Sequence, residues 1–308
     1  MNHKPAPKTL IVIAGPTASG KTAAAIEIAK YYNTVVISAD SRQFYREMSI
    51  GTAKPTSREL NEVKHYFIDS LSIAETYTAG DYEKQCLDLL EELFKTHPLV
   101  LLAGGSGLFI KALCEGFDEF PEIDPDVRER LNSELTNYGL THLQEKLKTV
   151  DPDYSSSVDI SNPQRIIRAL EVFEGTGRPY SSYRKLTSNN RPFNIIKLGL
   201  NMERPVLYQR INQRVDDMVR QGLVDEVKSL LPYRQLNALN TVGYSELFDY
   251  FDGKTDLNTA IELIKQNTRR FAKRQMTWFG KDKEILWFKA DSQTLTHDML
   301  AMTNSALF

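Results

Sequence analysis

No apolar run in the 308-residue sequence is long enough to cross a bilayer, which excludes a membrane-spanning helix. Cysteine is scarce. Cys86 and Cys114 form no Cys-x-x-Cys pair, so neither a zinc ribbon nor a disulfide framework is expected, and isolated reduced thiols fit the cytosol. The chain also lacks a dominant charge: its net −2 gives no global sign of nucleic-acid binding. It shows no internal repeat, no low-complexity tract and no leader-like segment. A cytoplasmic protein without a membrane partner, working as a monomer, is therefore expected. Its length allows one large or two smaller domains with a substantial core.

What is present is unevenly spread. Residues 265–283 carry Lys265, Arg269, Arg270, Lys273, Arg274, Lys281 and Lys283 against Asp282 alone, whereas residues 118–126 are acidic. The most informative stretch is Gly15-Pro16-Thr17-Ala18-Ser19-Gly20-Lys21-Thr22, a complete G-x-x-x-x-G-K-[ST] phosphate loop. Residues 9–14 (TLIVIA) before it are β-rich and apolar, and residues 22–32 (TAAAIEIAKYY) after it favour a helix. At a strand-to-helix turn the backbone N–H groups face one concavity, a natural anion site. Lys21 adds a cation for the outer phosphate, and the Thr22 hydroxyl is placed to ligate Mg²⁺. Nucleoside triphosphate hydrolases, kinases and diphosphate-consuming transferases can all use such a loop.

Further apolar β runs at 34–39 (TVVISA) and 98–103 (PLVLLA) alternate with helical spacing, as at 82–95. Such alternation predicts an α/β fold with a parallel sheet covered on both faces. Residues 113–192 change character: they are polar, lack a convincing strand, and suggest helices at 126–137, 141–150 and 163–175, the last stopped by Gly175. Strand character resumes at 194–200 (NIIKLGL). The expected organisation is a P-loop NTPase-like core, 1–112 with 193–308, interrupted by a helical insertion domain, 113–192. The C-terminal part predicts a helix over 204–231, a loop at 241–244, a basic helix over 257–279 and a last strand at 285–288.

Ligands in such folds gather at the carboxyl ends of strands. Asp40, at the end of the second run, could ligate magnesium, act as a general base, or cap a following helix. The third run ends without an acid, which counts against an ordinary ATPase. Gly104-Gly105-Ser106-Gly107 is either a flexible turn or a place of close ligand approach. Arg210 and Arg214, four apart on a helix, could clamp diphosphate or form a solvated face. Gln164, Arg165 and Arg168, and the segment with Lys273, Arg274, Gln275 and Trp278, combine basic and aromatic groups in a manner suited to RNA.

Together these motifs form a pattern. Ser38-Ala39-Asp40-Ser41-Arg42-Gln43, followed by Ile50-Gly51-Thr52-Ala53-Lys54-Pro55, resembles the tRNA dimethylallyltransferase (isopentenyltransferase) family. Further matches are Gly15 to Thr22, Gly104-Gly105-Ser106, Asn162-Pro163-Gln164-Arg165, Arg168-Ala169-Leu170-Glu171-Val172, Val242-Gly243-Tyr244 and Lys273-Arg274-Gln275-Met276-Thr277-Trp278-Phe279. The resemblance covers about residues 9–288. It implies transfer of a dimethylallyl group from its diphosphate to the exocyclic N6 amine of the adenosine 3′-adjacent to the tRNA anticodon. It also implies a helical insertion that grips the anticodon stem-loop.

Asp40 matches the family's base and Ser106 a position usually held by Thr, keeping the hydroxyl without the methyl. Lys21 and Arg214 match groups on the donor's diphosphate, together with the loop residues Gly15 to Thr22. Asp40, Ser41, Arg42, Gln43 and Ser106, Arg128, the segment Gln164-Arg165-Ile166-Ile167-Arg168, and Lys273, Arg274, Gln275 and Trp278 match tRNA-contacting stretches. The zinc finger that some eukaryotic members append is absent, as in the bacterial type. The rival expectations are a prenyltransferase acting on free adenine nucleotide and a P-loop kinase or ATPase.

Overall fold

The computed structural model describes residues 8–118, 120–184 and 190–307. It divides into two compact units, Met1–Glu115 with Asn190–Phe308, and Gly116–Asn189.

The first unit is built on six parallel strands: β1 (Thr9–Ala14), β2 (Val36–Ser38), β3 (His65–Tyr66), β4 (Leu99–Gly104), β5 (Asn194–Asn201) and β6 (Leu286–Lys289), in the order β3-β2-β4-β1-β5-β6. Side chains alternate across a strand, so the continuous apolar run of β1 covers both faces. Leu10, Val12 and Ala14 join one core with Tyr82, Cys86 and Leu90 of α3 (Ala79–Leu93) and Leu113 of α4 (Gly107–Glu115). Ile11 and Ile13 join the other, with Ala25 and Ile28 of α1 (Lys21–Tyr31) and Met299 of α12 (Leu295–Leu307). The short helix α2 (Ser57–Glu62) starts in a capping box of Thr56 and Glu59. Strand β3 and helices α2 and α12 carry too few periodic residues to stand out in the sequence.

The second unit holds α5 (Pro125–Val150), α6 (Pro152–Ser157) and α7 (Pro163–Thr176) around a core of Leu131, Leu143, Leu147, Ile167 and Leu170. The two helices expected at 126–137 and 141–150 are both present within α5, separated at Gly139, whose φ of 80° and ψ of 174° are not helical. The expected stop at Gly175 is corrected. The helix runs through it and ends at Gly177, whose φ of 70° lets it cap the last turn. Gly175 is small for a different reason, because a Cβ there would come within 2.6 Å of Ile123.

Back in the first unit, the single helix expected over 204–231 is two. Helix α8 (Arg204–Arg220) is separated from α9 (Leu223–Ser229) by Gly222, with φ 103°. Then come α10 (Tyr244–Phe251) and the long α11 (Leu257–Phe279). Among the described residues no helix is long and apolar enough to cross a membrane.

Candidate active site

Strand β1 delivers the phosphate loop and α1 begins at Lys21. Gly15 sits so close to the neighbouring strand that a Cβ would approach the Leu200 carbonyl oxygen to 2.7 Å. Gly20 (φ 90°) precedes α1 and supplies no side-chain cap, so the first-turn N–H groups remain available to an anion. Lys21 donates from Nζ to the Pro16 carbonyl at 2.7 Å. Loss of hydration lowers its pKa to about 8; Asp40 opposes the shift and Arg214 adds to it. Ser19, within the loop, is buried, and its hydroxyl finds no partner among the described residues.

The loop opens onto a cleft of about 820 Å³ whose walls include Thr17, Ala18, Lys21, Thr22, Asp40 and both Arg210 and Arg214. The i, i+4 pair on α8 therefore faces the phosphate loop. Arg214 donates to the Ala53 carbonyl at 3.3 Å. Burial lowers its pKa, with Asp40 acting against that shift.

No helix follows Asp40, so its capping role is ruled out. The carboxylate instead accepts the Arg42 N–H at 3.1 Å, closing a turn two residues long. Ser106 joins the strand ends of β2 and β4. Its hydroxyl accepts the Ser41 N–H at 2.9 Å and donates to the Ser41 hydroxyl at 3.2 Å. Gly104 allows this approach, because a Cβ there would collide with the Ala39 carbonyl. A second cavity of about 470 Å³ is lined by Asp40, Ser41, Arg42 and Ser106 and by the apolar side chains of Ile211, Val215, Leu223, Val242 and Ile264. The two cavities share Thr17, Asp40, Thr52, Ala53, Arg214, Met218 and Phe271 as walls.

The Gln43 amide is tied to its neighbours on both ends. Its Nε2 donates to the Thr52 and Ala53 carbonyls at 3.3 and 3.2 Å, and its Oε1 accepts from Ser38 at 3.3 Å. Gln43 thereby shapes the 52–53 turn that lines both cavities, and is itself a wall of the larger one. Arg42 reaches the Asn237 and Asn240 carbonyls at 3.4 Å each. Lys54, from the same motif, is likewise spent internally, on the Tyr45 carbonyl at 2.6 Å and on Asp69.

Glu226 carries no signal in the sequence. Its carboxylate on α9 accepts the N–H groups of Ser49, Ile50 and Gly51 at 3.0, 2.7 and 3.0 Å, and the Tyr244 hydroxyl at 2.6 Å. Tyr244 presses so closely on residue 51 that a Cβ would come within 2.6 Å of the ring, so only glycine fits. The Ile50-Gly51-Thr52 and Val242-Gly243-Tyr244 motifs thus meet through one acid 175 residues away from Gly51 in sequence.

Helix α11 presents Lys273, Arg274 and Trp278 on its exposed side, lining a groove with Arg270 and Lys281. Trp278 packs on Gly107, where any side chain would strike the indole. Gln275 points the other way. It is 7 % exposed, its Oε1 accepts the Thr17 N–H and its Nε2 donates to the Gly105 carbonyl, both at 2.9 Å. Both ends of its amide are thus held by loops of the site. The spacing Ala272, Gln275, Phe279 already follows the buried stripe of an amphipathic helix.

In the second unit, Arg128 and Arg168 share the buried Glu171 at 3.0 and 3.1 Å, and Arg128 also donates to Gln164 at 3.0 Å. The Arg168 guanidinium lies over the Phe120 ring, 5.3 Å from its centre. Arg165 is exposed. Ile166 and Ile167 are fully buried in the core of that unit. The expectation that they touch RNA is corrected, since their side chains are the apolar stripe that seats α7.

The chain has counterparts among known proteins. Residues 43–282 match the family described as IPP transferase. A tRNA dimethylallyltransferase of Christiangramia forsetii is 53 % identical over 285 residues, covering 92 % of this chain and 94 % of the relative. That of Flavobacterium johnsoniae is 49 % identical, covering 97 % and 100 %. Among solved structures, the full-length tRNA isopentenylpyrophosphate transferase of Bacillus halodurans superposes with TM-score 0.72 at 37 % identity, over 97 % of each chain. A eukaryotic dimethylallyltransferase acting on tRNA superposes with TM-score 0.80 at 25 % identity, over 97 % of this chain and 79 % of its own.

Proposed function

Because the chain belongs to the IPP transferase family, we propose that it transfers a dimethylallyl group from dimethylallyl diphosphate to the N6 amine of the adenosine 3′-adjacent to a tRNA anticodon. The observation that carries this reading is the meeting of an anion cleft and a partly apolar cavity at Asp40, Thr17 and Arg214. A donor with a charged end and an apolar end, attacked by a base amine from the far side, matches that division. The reaction is proposed to run in the cytoplasm on a monomer.

An adenine exocyclic amine is a weak nucleophile, because its lone pair is delocalised into the ring. The bond between the allylic carbon and the diphosphate oxygen must therefore be well advanced in breaking as the new C–N bond forms. First-turn N–H groups of α1, Lys21 and Arg214 would stabilise the charge gathering on the leaving diphosphate. Asp40 would orient the amine and take its proton, leaving N6-dimethylallyladenosine and free diphosphate. Ser106 would hold the Asp40 loop through Ser41. The target base must leave its stack to reach Asp40, at an energy cost met by contacts elsewhere on the RNA.

Magnesium fits this donor set. Thr22 is a wall of the cleft beside Lys21, and its hydroxyl would hold the ion together with the donor's own oxygens. Bound there, Mg²⁺ would help neutralise the departing diphosphate.

The test combines purified protein, Mg²⁺ and an unmodified stem-loop with each donor in turn, read by nucleoside mass spectrometry. Prenylated adenosine with the allylic donor alone is expected, and ATP should be neither required nor hydrolysed. Rapid ATP turnover without prenylated product would overturn the reading in favour of a kinase or ATPase. Efficient prenylation of free adenine nucleotide and none of the stem-loop would reassign the acceptor.

Anchoring should separate from chemistry. Arg165→Ala with Arg168→Ala should raise KM for the stem-loop and make the log-log salt dependence of binding shallower, by roughly 0.7–0.9 for each phosphate no longer neutralised. Turnover at saturating RNA should fall less. Filter binding at several salt concentrations reads this; an unchanged affinity and slope would leave both arginines as structural partners of their own unit.

A further inference from the structure

We infer that Gln275 is a positioning residue of the donor site and makes no RNA contact; this rests on the transferase reading above. The helix that carries it has two working faces. Lys273, Arg274 and Trp278 are exposed, while Gln275 lies on the buried stripe between Ala272 and Phe279. One amide there joins two loops from different strand ends. Its oxygen takes the Thr17 N–H of the phosphate loop after β1, and its nitrogen donates to the Gly105 carbonyl of the loop after β4.

Both connections bear on the reacting groups. Thr17 is a wall of both cavities, and Gly105 precedes Ser106, whose hydroxyl holds Ser41 beside Asp40. Without the amide, a part-buried N–H and a buried C=O would each lose this partner, and both loops would shift to recover one. The Gly105 carbonyl would also be free to turn its negative end toward the cleft that receives diphosphate. A carboxamide is the side chain that can donate and accept at once without bringing a charge. Glutamate could take the Thr17 N–H, but it would repel the Gly105 carbonyl and the donor.

Gly105 completes the arrangement. A Cβ at that position would run into the Gln275 amide nitrogen, while its next neighbours lie at 3.5 Å or beyond. Gly105→Ala should therefore displace the amide without touching the rest of α11. The two residues form one device, and disabling either should have the same consequence.

The experiment measures binding of inorganic diphosphate with Mg²⁺ by calorimetry, stem-loop affinity by fluorescence anisotropy, and steady-state prenyl transfer. In Gln275→Met, diphosphate Kd and donor KM should each rise about ten-fold, as expected for removing both hydrogen bonds at a buried amide. Stem-loop affinity should stay unchanged, which also shows that the variant is folded. Gly105→Ala should reproduce the pattern, and adding it to Gln275→Ala should weaken binding no further. The inference is overturned if Gln275→Met weakens the stem-loop while diphosphate Kd and donor KM hold. It is also overturned if the Gly105→Ala and Gln275→Ala effects multiply. Failure of the transferase reading looks different: wild-type protein would bind diphosphate and form no prenylated adenosine, with the Gln275 comparison still readable in diphosphate affinity.

Discussion

Asp40→Asn is expected to slow prenyl transfer by about 10²–10⁴-fold, the usual cost of removing a general base, while stem-loop affinity is retained. Asparagine is the informative substitution because its side-chain oxygen can still accept the Arg42 N–H that closes the 40–42 turn. The loop, and the hydrogen bonds between Ser41 and Ser106 beside it, should then survive. What disappears is the ability to accept the amine proton. Single-turnover transfer with saturating donor and RNA isolates that step. A rate within a few-fold of wild type would reduce Asp40 to a turn residue. A second consequence concerns its neighbours. Asp40 supports the charge on both Lys21 and Arg214, so its neutralisation should move the Lys21 titration to lower pH.

The other large effect is expected at Lys21. Lys21→Ala should lower transfer by about 10²–10³-fold, as for removal of one preorganised group that stabilises developing negative charge, and should weaken diphosphate binding. Its pH dependence identifies it. Burial is the main reason that its pKa falls to about 8. Below that pH the free protein carries the ammonium that diphosphate requires; above it the amine is neutral and must be protonated on binding. Diphosphate affinity should therefore be level below about pH 8. It should then fall above that pH, by up to about ten-fold per pH unit until the pKa of the bound state is reached. Calorimetry near pH 8 in buffers of different ionisation enthalpy should reveal proton uptake. Lys21→Ala should abolish that uptake along with the slope. A slope that persists in the variant would assign the titration to another group.

The phosphate loop and the longer strands are legible in the sequence because both are local. Consecutive apolar residues give a strand buried on both faces, and Gly15 to Thr22 encode their own turn geometry. The same holds for α11, whose bounds agree with the periodicity over 257–279. Breaks inside helices are harder to read. Gly175 and Gly222 are both glycines in helical surroundings, yet one packs on Ile123 within a helix and the other separates two. The difference lies in the neighbour at Gly175 and in the positive φ at Gly222, and neither is written in the adjacent residues.

The sequence by itself determined the chemistry on offer: an anion loop with its lysine, an acid at a strand end, a serine hydroxyl among glycines, and basic helices. Short-range spacing is enough for that, since each motif folds within a few residues of itself. Tertiary structure decided which polar groups remain free for a ligand. Gln43, Lys54 and Gln275 lie in motifs and Glu226 lies in none, yet each is spent on backbone groups of another segment. A buried N–H or C=O must find a partner, and the side chain that satisfies it is chosen by proximity in space. That is why the 49–53 turn depends on an acid in α9, and why a glutamine within a basic, RNA-like run serves the phosphate loop.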